Sequence, residues 1–425
     1  MSQWKKVKIG DIFSLEKGSL QSSKCIPGDY DFITAASEWK THNTYDHECE
    51  AIVYAVAASG SLGRAHYVNG KFIASDLCFI LTEKDKKNYP INFLFYQIVF
   101  EMLRDEIVSK TKTGTSKESI NRGNFSNYEI PYFSIDFQLA NYQRFVDAKN
   151  KIKALNEESE KQKEYTKQLR QNILQDAIEG KLTADFRQKN QHNTENSKSI
   201  KNGIDKKLSS LPPVSKDEIP FEIPDTWKWL RLGMIIESAP RNGYSPKAVD
   251  YETPIKTLKL GAVTSGIFDS SECKYINEEI PQDAYCWLKN GDILIERSNS
   301  LEYVGMSAIY TGNDNEFIYP DLLMRFRVSN EALTEYVHKV LIAPFNRLYF
   351  MSKAKGAQKS MPKINQDCVI NTLIPLPPLK EQEEIVNKVE SLLTKVTELE
   401  NQIQERETYT KQLMQSILKN AFEEE

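Results

Sequence analysis

Two stretches of this sequence place an arginine beside small hydroxyl residues: Ser59-Gly60-Ser61-Leu62-Gly63-Arg64 and Arg297-Ser298-Asn299-Ser300. A guanidinium offers donors in a planar fork that matches the acceptor edge of guanine, so these stretches are candidate readers of DNA base edges. Their structural alternative is a strand-end turn held by local hydrogen bonds. Two further stretches combine lysines, hydroxyls and a glycine: Lys110-Thr-Lys-Thr-Gly114-Thr-Ser-Lys-Glu-Ser119-Ile-Asn-Arg122 and Ser352-Lys-Ala-Lys-Gly356-Ala-Gln-Lys-Ser360. Cations neutralise phosphates, and glycine lets backbone approach them closely. The expected contact set is therefore Ser61, Arg64, Lys110, Lys112, Thr113, Thr115, Ser116, Lys117 and Arg122 in one half. In the other half it is Arg297, Ser298, Asn299, Ser300, Lys353, Lys355, Gln358, Lys359 and Ser360. A solvated flexible loop is the competing reading of either lysine stretch alone.

Catalytic chemistry has little to stand on. Asp292-Ile-Leu-Ile-Glu296-Arg297 puts two acids and a base on one predicted strand, but Ile52-Val-Tyr-Ala-Val56, the matching strand of the first half, ends without an acid. The Pro-Pro pairs read Leu211-Pro-Pro-Val214 and Leu376-Pro-Pro-Leu379, not the Asn/Asp-Pro-Pro-aromatic motif of an adenine methyltransferase, and no phosphate-binding G-x-x-x-x-G-K-[ST] occurs. His42, His47 and Cys49 lie close together without a second half of a metal site. The six cysteines form no C-x-x-C pair and read as reduced thiols. We expect no catalytic residue, no metal and no cofactor in this chain.

The chain has 425 residues, 40% of them hydrophobic, enough for two or three domains with ordinary cores. Its longest apolar run, Ala51 to Ala58, is far short of the roughly 20 residues that cross a membrane. Lys5, Lys6 and Lys8 precede no apolar stretch, so no signal peptide is expected and the cytoplasm is the expected location. A net charge of −4 is not that of a typical nucleic-acid binder. Charge is local, however: residues 347 to 363 hold Arg347, Lys353, Lys355, Lys359 and Lys363 with no acid, while the helical segments are rich in Glu.

An internal repeat organises these pieces. Trp4-Lys-Lys-Val-Lys-Ile-Gly10 parallels Trp227-Lys-Trp-Leu-Arg-Leu-Gly233, and Phe72-Ile-x-x-Asp76-Leu77 parallels Phe317-Ile-x-x-Asp321-Leu322, the second copy having gained about 22 residues in between. Beyond that point Ile120-Asn121, Ile130-Pro131 and Gln138 match Ile364-Asn365, Ile374-Pro375 and Gln382 at one common offset. Tyr165-Thr-Lys-Gln-Leu169-x-Gln-x-Ile173-Leu174 returns as Tyr409-Thr-Lys-Gln-Leu413-x-Gln-x-Ile417-Leu418.

The elements that must carry the candidate residues follow from periodicity. Ile385, Val389, Leu392, Val396, Leu399 and Ile403 alternate four- and three-residue steps, the pattern of a coiled-coil seam that Leu413 and Ile417 continue. Ile152, Leu155, Leu169 and Ile173 are the equivalent seam of the first copy. Ser159, Gln162 and Thr166, and Arg406 and Thr410, are polar seam positions of the kind that fix register. Gln138 to Ile178 lacks Pro and Gly, so one helix of about 60 Å is predicted there. Ala51 to Val56 and Asp292 to Ile295 read as buried strands, Phe93 to Val108 as one amphipathic helix, and Gln188 to Ser215 as a solvated linker. The predicted divisions are a first domain over 1–137, a helix over 138–187, a linker over 188–218, a second domain over 219–379 and a helix over 380–425.

This arrangement resembles the specificity subunits of type I restriction–modification systems. Ile219-Pro-Phe-Glu-Ile-Pro-Asp-Thr-Trp227, Ile374-Pro-Leu-Pro-Pro-Leu-Lys-Glu-Gln382 and the twice-used Tyr-Thr-Lys-Gln-Leu helix carry the resemblance, which covers essentially the full chain. Ile130-Pro-Tyr-Phe-Ser-Ile-Asp-Phe-Gln138 departs from it by keeping only one proline. The resemblance implies an α+β fold: two similar mixed α/β target recognition domains separated by two long antiparallel helices, with pseudo-two-fold symmetry. It implies a non-catalytic subunit that reads a bipartite, asymmetric double-stranded DNA target, its half-sites roughly 34 Å apart. The implied partners are two methyltransferase subunits along the helices and restriction/translocase subunits, with S-adenosylmethionine, ATP and Mg used by those partners. The reading from another class is a coiled-coil adaptor with two protein-binding domains.

Overall fold

The computed structural model describes residues 5–58, 60–114, 118–190, 208, 211–355 and 361–423. The chain forms two compact units, Met1–Gln162 with Gln402–Glu425, and Lys163–Asn401.

In the first unit a six-stranded sheet runs in the order Phe13–Lys17, Cys78–Glu83, His47–Ala55, Ala65–Ala74, Tyr30–Ile33, Lys40–His42, antiparallel except where Tyr30–Ile33 meets Ala65–Ala74. Ile52 and Tyr54 face one core and Ala51, Val53 and Ala55 another. Covering on both faces explains why that strand is a continuous apolar run rather than an alternating one. Helix Phe93–Met102 lies against the sheet, and the short pair Lys6–Lys8 with Glu129–Pro131 leads to the long helix. The helix expected over Phe93 to Val108 breaks at Leu103 (φ −90°, ψ 4°) into Phe93–Met102 and Arg104–Thr111. Neither Pro nor Gly marks the break. The turn keeps Ile107 in the core while aiming Arg104 at a neighbouring loop.

The second unit repeats this order with an addition. Its four-stranded antiparallel sheet runs Arg241–Asn242, Leu323–Phe326, Ile293–Glu296, Ser307–Ile309. The counterparts of Tyr30–Ile33 and Lys40–His42 split off here into a second sheet, ordered Ala248–Val249, Cys273–Ile276, Ile255–Leu258, Phe317–Ile318, which encloses its own core around Leu288, Tyr310 and Phe317. Lys228–Arg231 pairs with Leu373–Leu376 as Lys6–Lys8 does with Glu129–Pro131. Thr334–Ile342 and Pro344–Lys353 are again two helices, here separated by a proline at the start of the second.

The part of the expected linker that is described next to this unit is docked, not solvated. Leu208 and Leu211 join the apolar core, and Arg231 holds both carboxylate oxygens of Glu218 at 2.7 and 2.8 Å and the Pro212 carbonyl at 2.9 Å. A capping box between Ser215 and Glu218 closes the turn.

The long helices span Ile135–Ile178 and Leu379–Glu423. Each begins ahead of its expected first residue, and at matching repeat positions. Ser134 replaces a proline, yet its carbonyl accepts from the Gln138 N–H at 3.0 Å, as Pro378 does from Gln382 at 3.0 Å. Both glutamines also anchor a buried turn: Gln138 Oε1 accepts from Asn92 N at 2.6 Å and Gln382 Oε1 from Leu333 N at 2.8 Å. Gly180, at φ +75°, ends the first helix before residue 187, because only glycine takes that conformation cheaply.

Within each unit the helices run antiparallel. In the first unit Arg406 donates to Gln162 at 2.8 Å; in the second Arg170 holds the Glu400 carboxylate at 2.7 and 2.9 Å. The seam is narrower than its sequence pattern. Ile152, Ser159 and Thr166 are buried, as are Ile173, Ile385, Val389, Val396, Ile403 and Thr410. Leu392 and Ile417 are half-buried, whereas Leu155 (38%), Leu169 (42%), Leu399 (44%) and Leu413 (45%) are exposed. Two helices meet through one row of seven-spaced residues, and the alternate heptad position falls on an uncovered rim. Among the described residues no helix is long and apolar enough to cross a membrane.

Candidate nucleic-acid interface

Each unit brings its two candidate stretches together. In the first, Lys112–Thr113 pairs with Ser119–Ile120, and Ile120 N donates to the Val56 carbonyl at 2.8 Å at the end of the buried strand. In the second, Lys355 and Lys363 exchange two 3.0 Å bonds, and Ile364 N donates to the Arg297 carbonyl at 3.0 Å. A basic hairpin is thus laid on the strand-end loop in both copies. The following helices are capped alike, by Asn121 accepting from Asn124 N and Asn365 from Cys368 N.

The strand-end loops themselves share one frame. Gly63 N donates to Ala55 O and Gly305 N to Glu296 O, both at 2.8 Å. Arg64 N donates to Ser61 O at 3.1 Å and Met306 N to Tyr303 O at 2.8 Å. Gly63 (φ +77°) and Gly305 (φ +76°) occupy the same corner, and an added Cβ would lie 2.6 Å from Val108 or 2.5 Å from Phe350. This frame corrects the pairing expected from sequence. Arg64 stands where Met306 stands in the other copy, and Arg297 where Val56 stands, so the two arginines occupy opposite ends of one loop.

The individual side chains divide into presented and engaged groups. Lys110, Lys353, Lys355 and Ser300 are exposed. Lys112 is exposed and pairs with Glu118 at 2.7 Å, and the exposed Thr113 donates to Ser119 O at 3.4 Å. Arg122 reaches the Leu15 carbonyl at 2.7 Å. Arg64 spends one nitrogen on Ala35 O (2.8 Å) and Ser61 Oγ (3.3 Å), and Arg297 one on Asp321 O (3.3 Å). Ser298 is wholly buried, and Asn299 is turned inward, its amide donating to Glu296 at 2.7 Å and its oxygen accepting from Ser300 N at 2.8 Å. Thr115, Ser116, Lys117, Gln358, Lys359 and Ser360 lie outside the described residues.

The second unit has a groove of about 930 Å³ here, walled by Arg297, Lys353, Lys355, Lys363, Tyr349 and the Glu218–Arg231 pair. Arg231 holds the Glu218 carboxyl far down, at about 2, so this acid stays ionised and neutralises part of the groove.

The strand acids do not converge. Asp292 is buried under Arg325 (3.3 Å) and Arg327 (2.9 Å). Glu296 accepts from Thr264 Oγ1 at 2.6 Å and Asn299, and burial raises its pKa. His42 Nδ1 accepts from Ile26 N at 3.0 Å, while His47 sits between Asp46 (2.6 Å) and Glu16 (3.3 Å). Among the described residues no group is placed to hold a metal ion.

Sequence reading missed Arg104 and counted Arg347 only as local positive charge; both hold the loops from behind. Arg104 donates to Leu62 O (2.7 Å) and, through Nη2, to Gly60 O (3.2 Å); Arg347 Nη2 donates to Glu302 O (2.8 Å). The signal was available, since each falls in the second helix after its loop, at nearly the repeat offset.

Fold and site together define a duplicated domain that presents a basic hairpin against a glycine-cornered loop. The family model for the type I restriction modification DNA specificity domain matches residues 1–172 and again 224–406, and the chain belongs to that family. It is a DNA specificity subunit, not a catalytic one. Its sequence is 24% identical over 422 residues to the type I restriction enzyme EcoDI specificity subunit of Escherichia coli, across 99% of this chain and 88% of that one. It is 29% identical over 249 residues to the EcoEI specificity subunit of Escherichia coli, covering 56% of this chain and 42% of that relative. A solved structure reported under "Structural basis underlying complex assembly and conformational transition of the type I R-M system" shares the fold, with a TM-score of 0.59, 16% identity, and coverage of 99% of this chain and 98% of that one.

Proposed function

We propose that each domain reads one half of a split, asymmetric double-stranded DNA target. The strand-end loop and hairpin of each copy meet the DNA, and the long helices set the spacing between the halves. The observation that carries this reading is the repeated bond that seats each basic hairpin on its loop, Ile120 N to Val56 O and Ile364 N to Arg297 O. Lysines then contact phosphates for position, while loop side chains contact base edges for identity. On this reading the domains are residues 1–137 and 219–379, and the DNA contacts include Arg64, Lys110, Lys112, Arg122, Arg297, Ser300, Lys353 and Lys355, together with Thr115, Ser116, Lys117, Gln358, Lys359 and Ser360 of the two lysine-bearing stretches. Ser298 and Asn299 act from behind the loop.

Methylation and cleavage belong to partner subunits: two methyltransferases docked along the helices, where Leu155, Leu169, Leu399 and Leu413 leave apolar rims uncovered, and restriction/translocase subunits. S-adenosylmethionine, ATP and Mg are bound by those partners. The test is a genome-wide map of modified bases with and without this gene, the partner subunits being expressed in both. One split motif should vanish with the gene. An unchanged map overturns the proposal and leaves the adaptor reading.

A further inference from the structure

Two arginines that the DNA-reading account does not place on DNA occupy one position in both copies. Arg104 opens the helix Arg104–Thr111 and Arg347 lies in the helix Pro344–Lys353, each packed beneath its strand-end loop. The Nη2 group of each donates to the carbonyl three residues before the loop's glycine corner, Gly60 O at 3.2 Å and Glu302 O at 2.8 Å. Arg104 adds a 2.7 Å bond from Nε to Leu62 O. The contact is to backbone, so it holds the path of the loop whatever side chains the loop carries.

The surroundings fit a support rather than a reader. The Cγ of Arg104 lies where a Cβ on Gly63 would come within 2.8 Å, and the ring of Phe350 fills the same place beneath Gly305. Arg347 also faces the buried Glu296, and its Nη1 is buried without a hydrogen-bond partner. Glu296 in turn holds Asn299 of the loop at 2.7 Å. Tilting Arg347 would thus disturb the loop at two points, Glu302 through its carbonyl and Asn299 through the acid.

We propose that Arg104 and Arg347 are positioning residues, each fixing the recognition loop of its own domain and therefore the fidelity of one half-site only. The proposal rests on the reading that these loops meet DNA. A base contact depends on atoms placed to a few tenths of an ångström, whereas a phosphate contact through a long lysine tolerates movement. Loosening the loop therefore degrades identity while leaving electrostatic attachment in place.

The experiment uses the full chain assembled with its modification subunits, carrying R104Q or R347Q, with modified sites mapped by sequencing and binding to a duplex with the mapped site measured against salt. R104Q should relax one or two base pairs of one half of the motif, on the order of tenfold in discrimination, and R347Q should do so in the other half. The slope of log affinity against log salt should not change. R104K and R347K, which keep a donor, should recover most of the fidelity. Where R347Q does not yield a folded complex, G305A moves the same loop with Arg347 in place and must relax the same half. Relaxation of both halves by one variant, or of neither, overturns the proposal, as does a slope smaller by about 0.9, which marks a lost phosphate contact. A wild-type complex that modifies no split site fails the underlying DNA reading instead.

Discussion

The loops after the two buried strands, Val56 to Arg64 and Arg297 to Met306, have the same hydrogen-bonded frame and different chemistry. Both close through a glycine N–H onto the strand end at 2.8 Å, and both carry a hairpin on their first residue. Yet the first loop puts its arginine at the last position, tied to Ala35 O, and the second puts it at the first, tied to Asp321 O. Backbone bonds and glycine corners set where a loop lies, and they are indifferent to the side chains mounted on it. One scaffold can therefore present different groups to the two halves of an asymmetric target.

The largest effect should come from attacking the shared frame. G305V places a side chain at φ +76° against the Phe350 ring, and combined strain and overpacking should cost about 4 kcal/mol. G63V should behave alike in the first unit. Hydrogen exchange resolved by domain would show each loss confined to its own unit; a loss in only one of them would break the equivalence of the frames.

The next contrast lies one layer deeper. His338 Nε2–H donates to the Ser307 carbonyl at 2.8 Å, where in the first copy the Gln97 amide donates to Ala65 O at 3.0 Å. Burial pushes the His338 pKa down from 6.5 to about 4. The unfolded chain therefore takes up the proton first. Stability from this group is complete above pH 6.5 and is lost as pH falls towards 4, by about 3 kcal/mol. H338Q should copy the first unit and flatten the pH dependence of the second unit's unfolding between those values. An equally steep profile would show the histidine to be irrelevant.

Smaller differences separate the hairpins. K353A with K355A should weaken DNA binding by about 2 kcal/mol at low salt and reduce the salt slope by about 1.8. K110A with K112A should cost less, because Glu118 already neutralises Lys112 at 2.7 Å. Equal losses in a salt titration would argue that this pair opens on DNA. Smallest of all, R170A removes a half-exposed pair with Glu400 and should destabilise the helices by roughly 0.5–1 kcal/mol, read as faster local exchange.

Much of this was legible in the residues. The duplication, the buried strands and the long helices follow from repeated motifs and apolar spacing, and the polar Ser159 and Thr410 were readable as seam positions that the structure buries. The break at Leu103 was not legible, since no Pro or Gly marks it and the apolar spacing continues through it. Nor was the narrow seam: spacing identifies candidate faces, but Leu155 and Leu169 are exposed because only one partner helix covers them. The pairing of Arg64 with Arg297 followed residue type, whereas the frame is set by backbone bonds. Asn299 looked like a reader for the same reason, and its inward bond to Glu296 depends on a buried acid whose surroundings no local pattern reveals.

The central claim is that each domain reads its own half of the target. Replacing residues 219–379 with the corresponding segment of a relative that has a different specificity, and mapping the modified sites, tests it most directly. One half of the motif should change and the other should persist base for base. A motif altered in both halves, or in neither, would contradict the account.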